Sequence, residues 1–185
     1  MIDVSHTLIE KAVQKDVQAF QEIYELTGKY VYNIVLRIVN NAHDAQEVTQ
    51  DVFVAIYKKL DQFNYQSKFT TWAYRIAVNS AINFAKRRTR TTGGHVSLSR
   101  QAIQYADVSS EPELTREERE STVQRLFNQL PEEQRACMVL RTVDQLSYEE
   151  IADVLGINMN TVRSRLKRAR EKLMQYRKEV IGHEV

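Results

Sequence analysis

Cysteine is nearly absent from this chain. Among 185 residues there is a single thiol, Cys137, so there is no disulfide framework and no thiol cluster to hold zinc. Its neighbours Ala136, Val139 and Leu140 are apolar, which predicts a buried structural cysteine. Long apolar runs are missing too. No stretch approaches the roughly 18 to 20 residues that span a bilayer, and Met1 to Ala12 lacks the basic-then-apolar order of a signal peptide. The expectation is a cytoplasmic protein without direct membrane insertion. The four histidines, His6, His43, His95 and His183, lack ligand spacing. No nucleophile and base are grouped, and no glycine loop is built to cradle a phosphate. The expectation is therefore a non-enzymatic protein with no catalytic residue, no metal and no cofactor.

What the chain does have is segregated charge. The net charge is only +2, yet Lys86 to Arg90 carries four positive residues and no acid. Thr161 to Lys178 carries eight against the single acid Glu171. Between Glu111 and Glu120 five acids oppose two arginines. Two anion-facing surfaces separated by an acidic patch fit this layout, and solvated helix faces fit each cluster taken alone. A hydrophobic content of 43% suffices for one or two small cores.

The C-terminal stretch Leu146 to Leu173 reads as helix, turn, helix. Ser147 and Glu150 have the spacing of a capping box, and Gly156 suits a left-handed C-cap. The chain then restarts at Asn160 or Thr161. Val162, Leu166, Ala169 and Leu173 mark the inward face of the second helix, leaving its basic residues outward. In a helix-turn-helix the start of the second helix meets base edges while its flanks meet phosphates. Asn160, Thr161 and Ser164 supply short polar groups there, with Arg163, Arg165 and Arg168 beside them.

Further upstream, residues from about Ser5 to Asn40 read as helix. The next helix, capped by Asn41 or Asp44, buries Ala45, Val48, Val52, Ile56 and Leu60. Its other face carries Asp44, Glu47, Gln50 and Asp51 close together over two turns; taken alone, that face reads as solvated. Asp61 to Thr70 mixes aromatics with polar residues, either as core anchors or as a stacking surface for bases. Thr71 opens a long helix with Ala73, Ile76, Ala77, Ala81 and Phe84 inward. Its stripe of Arg75, Asn79, Asn83 and Lys86, followed by Arg87 and Arg88, has the amide and guanidinium chemistry that meets bases and phosphates.

The ordered segments DAQEVTQDVFVAIYKKL, FTTWAYRIAVNSAINFAKRR and LPEEQRACMVLRTVDQLSYEEIADVLGINMNTVRSRLKRARE closely resemble the extracytoplasmic-function (ECF) group of bacterial RNA polymerase sigma factors over nearly the full chain. The resemblance implies an all-α fold of two small helical domains joined by a flexible linker. One, over residues 1–88, is region two, which binds the clamp of core RNA polymerase and reads and melts the minus-10 element. The other, over 113–185, is region four, whose helix-turn-helix docks on the flap and reads the minus-35 element. By the same resemblance Asp44, Glu47, Gln50 and Asp51 contact core polymerase. Asn64, Ser67, Lys68 and Phe69 capture a flipped promoter base, with Arg75, Asn79, Asn83, Lys86 and Arg87 as the adjoining minus-10 surface. Asn160, Thr161, Arg163, Ser164, Arg165 and Arg168 face minus-35 DNA. A partner anti-sigma factor, often membrane-anchored, is implied as well. Gln46 stands where the family usually has an acid, and Asn160 where glycine is frequent.

Residues 89–112 lose helical periodicity and read as linker, with a short helix possible around Ala102 to Tyr105. About 24 residues average about 27 Å as a coil and reach about 80 Å fully extended, so the free protein is expected to be more compact than the polymerase-bound one. A stand-alone helix-turn-helix repressor or activator also accounts for the C-terminal helices. It leaves the Arg75 to Lys86 stripe and the acidic face before it without a role.

Overall fold

The computed structural model describes residues 4–91 and 126–182, with side chains described to residue 176. The expected short helix near Ala102, the acidic patch and the start of the helical pattern at Glu113 lie outside the described residues. Within them every element is helical: α1 (His6–Val13), α2 (Val17–Val39), α3 (Ala42–Lys59), a 3-10 turn (Leu60–Gln62), α4 (Phe69–Thr91), α5 (Glu132–Thr142), α6 (Tyr148–Leu155) and α7 (Met159–Gly182). The all-α expectation holds.

The single helix expected over Ser5 to Asn40 is two. Lys15 takes a left-handed φ of 68°, and the Asp16 carboxylate accepts from the Gln18 and Ala19 amides to start α2 afresh. A local cap overrides an apolar stripe that reads as continuous. Gly28 does not interrupt α2; its missing side chain lies against the Tyr24 ring. Asn40 ends α2 in the left-handed region, and Asn41 caps α3 through the Asp44 amide. Pro131 precedes α5 as its N-cap. α4 continues to Thr91, into the segment assigned to the linker.

In the N-terminal module α2, α3 and α4 pack on one another, with α1 against α2; in the C-terminal module α5 and α6 pack on α7. The two modules also share a seam, in which α2 meets α5 and α4 meets both α5 and α6. One hydrophobic cluster therefore runs from Val4 to Ala169, where composition alone allowed for two separate cores. The seam explains the unexpected burial of α4. Besides Ala73, Ala77 and Ala81, the helix buries Tyr74, Val78, Ile82 and Ala85, a second stripe at three- and four-residue spacing.

The Arg135 side chain ties this seam through backbone carbonyls. Its Nε donates to the Phe127 carbonyl at 2.9 Å and its Nη2 to those of Asn128 and Leu130 at 3.3 and 3.0 Å. Its Nη1 reaches the Ile38 carbonyl in the last turn of α2 at 2.7 Å. Terminal helix carbonyls have no partner within their own helix, and one planar guanidinium satisfies several of them across both modules.

Candidate nucleic-acid interface

The loop before α4 divides into a buried and an exposed half. Phe63, Phe69 and Trp72 pack together with ring centroids 5.5 to 5.8 Å apart. Phe69, expected to contact a base, is instead 5% exposed and belongs to the core. It opens α4 between the Phe63 and Trp72 rings, so its apolar face is already covered. Asn64, Ser67 and Lys68 are exposed as expected. Tyr65, one of the loop aromatics read as either core anchor or stacking surface, is exposed beside them at a left-handed φ of 59°, its ring stacked on His6 at 4.0 Å.

Along α4, Asn79, Asn83 and Arg87 are exposed, while Arg75 and Lys86 are half-buried. A groove of about 560 Å³ between α3 and α4 is lined by Asp51, Asn83, Lys86, Arg87 and Arg90, together with apolar Val48 and Phe84. It brings an acid of α3 and the basic end of α4 to one place. The four α3 residues expected to act together differ in their surroundings. Glu47 and Asp51 are exposed, whereas Asp44 is engaged by Arg88 in an ion pair that fastens the start of α3 to the end of α4. Gln50 instead lines the groove on the α2 side, with Tyr24 and Tyr32; on a helix it lies about 100° around from Asp51.

The helix-turn-helix forms by the local chemistry its residues predict. Ser147 Oγ accepts from the Glu150 amide at 3.1 Å and Glu150 Oε2 accepts from the Ser147 amide at 2.7 Å, which completes the capping box. Gly156 ends α6 with φ 64°. α7 then begins at Met159 rather than Asn160, because Asn158 Oδ1 accepts from the Thr161 amide and hydroxyl at 2.8 and 3.0 Å. Thr161 is thus half-buried and occupied locally. Val162, Leu166 and Ala169 are fully buried. This anchors the helix and turns Asn160, Arg163, Ser164 and Arg168 to the exterior. Arg163 Nη1 donates to Asn160 Oδ1 at 3.3 Å.

Arg165 is the exception. Its side chain is only 24% exposed and lies 3.7 Å from Glu133 Oε1. The same oxygen is 2.5 Å from Lys86 Nζ. Arg165 also adjoins Cys137, whose thiol burial pushes up to about 11, against the lowering influence of the guanidinium. That thiol stays protonated and inert at neutral pH. A second cross-module pair joins Arg75 Nη2 to Asp153 Oδ2 of α6 at 3.8 Å, and Thr89 Oγ1 meets Glu132 Oε1 at 2.7 Å.

Asp144, just beyond α5, forms a part-buried polar contact across the seam. Its Oδ1 accepts from the Tyr30 hydroxyl at 3.3 Å and from the Tyr74 hydroxyl at 2.9 Å, and the two rings meet edge to face at 4.8 Å. Burial pushes the Asp144 carboxyl up to about 6, against the lowering effects of the Tyr30 hydrogen bond and the Arg37 charge. No group of three or more His, Cys, Asp or Glu residues is arranged to hold a metal among the described residues. Nor is any helix there long and apolar enough to cross a membrane.

A helical module with an amide-and-basic stripe, joined to a helix-turn-helix with a basic outer face, defines the class of two-module sigma-70 factors. Residues 23–91 match the family model for sigma-70 region 2, and residues 121–173 that for sigma-70, region 4. The chain is 36% identical to the RNA polymerase sigma-H factor of Pseudomonas aeruginosa, with 89% of each chain covered. It is 31% identical to the ECF RNA polymerase sigma factor SigW of Bacillus subtilis, covering 89% of this chain and 92% of SigW. With the ECF RNA polymerase sigma-E factor of Escherichia coli K12 it shares 36% identity over 89% of each. The chain therefore belongs to the ECF group of the sigma-70 family, whose members direct promoter-specific transcription initiation.

Solved structures share its fold. CnrH in complex with the cytosolic domain of CnrY has a TM-score of 0.65 at 23% identity, covering 94% of this chain and 96% of that one. RpoE of Bartonella quintana with the anti-sigma factor NepR has 0.63 at 23%, covering 91% and 100%.

Proposed function

We propose that the chain binds the clamp of core RNA polymerase through Glu47, Gln50 and Asp51 and the flap through its C-terminal module. It then supplies promoter specificity at two tethered DNA surfaces, without chemistry of its own. In this reading the minus-10 element meets Asn64, Ser67 and Lys68 and the α4 stripe of Arg75, Asn79, Asn83, Lys86 and Arg87. The minus-35 element meets Asn160, Arg163, Ser164, Arg165 and Arg168. Working boundaries are 1–88, 89–112 and 113–185. The observation that carries the reading is the α4 stripe beside an exposed polar loop. A base taken from the stack needs polar partners for its edge and a stacking wall, and Tyr65 is the exposed aromatic at that place. A stand-alone repressor needs no such second surface. Family membership adds an anti-sigma partner, and a function in transcription sets the protein in the cytoplasm.

Copurification with core polymerase, followed by run-off transcription from a cognate promoter, tests this reading. Asp51→Lys reverses a charge on the exposed α3 face and is expected to reduce capture of core polymerase at least tenfold. Capture equal to wild type would mean that this face is merely solvated.

A further inference from the structure

We propose that His6, at the start of α1, is the outermost plate of the base-stacking site and takes a base of the melted DNA strand on its ring. The inference rests on the reading of the loop before α4 as the place where a promoter base is captured. Tyr65 does not form that plate alone, because two rings already lie against it. His6 meets it at 4.0 Å with the planes 24° apart, a face-on stack, and Phe63 meets it at 4.8 Å and 56°. Phe63 in turn packs against Phe69 and Trp72. A ladder of rings thus runs from the core of the N-terminal module to its surface and ends at His6, which is exposed. A base that stacks here extends the ladder by one rung.

The sequence around His6 holds it in place. Ser5 Oγ caps α1 by accepting from the Leu8 amide at 3.3 Å, and Leu8, Ile9 and Ala12 bury the inner face of the helix. α1 also meets the 3-10 turn that leads into the loop. The imidazole is therefore carried by a capped, packed helix, and little ordering entropy is lost when a base arrives. Tyr65 holds a left-handed φ of 59°, which glycine or asparagine takes at less cost; its contacts with Phe63 and His6 offset that strain. Imidazole is among the rings on which unpaired bases stack. Charge then selects the base over the backbone. Glu10 lies one turn further along the same side of α1, and burial followed by the Glu10 charge pushes the Tyr65 hydroxyl above its ordinary range. That negative charge disfavours a phosphate at this end of the ladder, so the uncharged base is the group that fits.

The test uses the full chain without polymerase and a labelled, mixed-sequence single DNA strand of about 12 nucleotides. His6→Ala is expected to weaken binding about fivefold or more, the lower end for one lost stack. The salt dependence is expected to stay the same, since no phosphate contact is removed. His6→Phe keeps a ring and is expected to bind within about twofold of wild type, whereas His6→Lys supplies charge without a ring and is expected not to rescue. Wild-type affinity in His6→Ala, tighter binding through a freed Tyr65, or rescue by lysine would each overturn the proposal. A second measurement separates contact from support of Tyr65. An iodouracil base in the same strand crosslinks on irradiation to the ring it stacks on, and the product is expected in the tryptic peptide 1–11, which carries His6. Crosslinking to Tyr65 with none to His6 would sink the proposal, since the imidazole then only holds the tyrosine. Neither readout needs polymerase or a promoter. Unaffected strand binding by His6→Ala alongside wild-type run-off therefore rejects this plate and leaves the sigma-factor reading standing. Absence of wild-type run-off counts against that reading, with the crosslink still reporting on His6.

Discussion

At the scale of single residues the seam depends on two groups, one that titrates and one that does not. Asp144 is a carboxylate with its ordinary range near 4 pushed up to about 6 by burial. The groups facing it are Tyr30 and Arg37 from α2 and Tyr74 from α4. Because the folded chain holds this proton more tightly than the unfolded one, its contribution to stability is fully present below about pH 4. Its advantage is lost as pH rises through about 6. Asp144→Asn keeps an oxygen acceptor for both tyrosines but cannot titrate. The melting temperature of wild type relative to this variant is therefore expected to rise as pH falls from 7 to 4.5; parallel curves would show that the Asp144 proton is not linked to folding. Arg135, by contrast, stays charged throughout and acts by geometry. Arg135→Ala strands carbonyls of Phe127, Leu130 and Ile38, a loss of about 1 to 3 kcal/mol. Arg135→Lys is expected to recover little of it, since one ammonium cannot reproduce the guanidinium fork. Denaturant melts of the two variants decide this, and full rescue by lysine would show that charge rather than shape matters.

At the scale of elements α7 is the clearest case of local code. Its capped start, buried face and basic exterior follow from neighbours within four residues, and each was legible in the sequence. Arg163 is exposed at its first turn. Arg163→Ala is expected to weaken minus-35-dependent run-off by about 1 to 3 kcal/mol if the arginine pairs with a base, and by less, uniformly across sequences, if it meets a phosphate. Leu166→Ala should instead destabilise the whole module by about 2 to 5 kcal/mol, because that side chain is fully buried. α4 shows where local reading stops. Its first apolar stripe was legible, but Tyr74 donates to Asp144, 70 residues further along the chain, and periodicity carries no information about such a partner. Phe69 is ambiguous in sequence for a related reason. An aromatic in a polar loop is equally consistent with a base-stacking surface and a core anchor, and only the approach of Phe63 and Trp72 decides between them. Glu133 reads locally as an ordinary acid in the first turn of α5, favourable to the helix dipole. Its position against Lys86 and Arg165 is a property of the assembled modules.

At the scale of the whole molecule two states compete for the same tether. Closure brings the modules together, and binding both promoter elements also fixes them relative to one another. Each therefore incurs the loop-closure entropy of the chain between α4 and the helical turn at 126–128. Doubling that chain changes closure by only about 0.6 kcal/mol, roughly threefold, and a two-site promoter complex is altered by a similar amount in the same direction. The balance between the states then moves far less than either alone. Inserting a flexible Gly/Ser segment of about 34 residues between Gly93 and Gly94, which doubles the chain between Thr91 and residue 126, is therefore expected to leave run-off from a two-element promoter within about threefold of wild type. A loss beyond tenfold on insertion would mean that residues of the connecting segment themselves make contacts in the transcription complex, and that the two modules are positioned rather than merely joined.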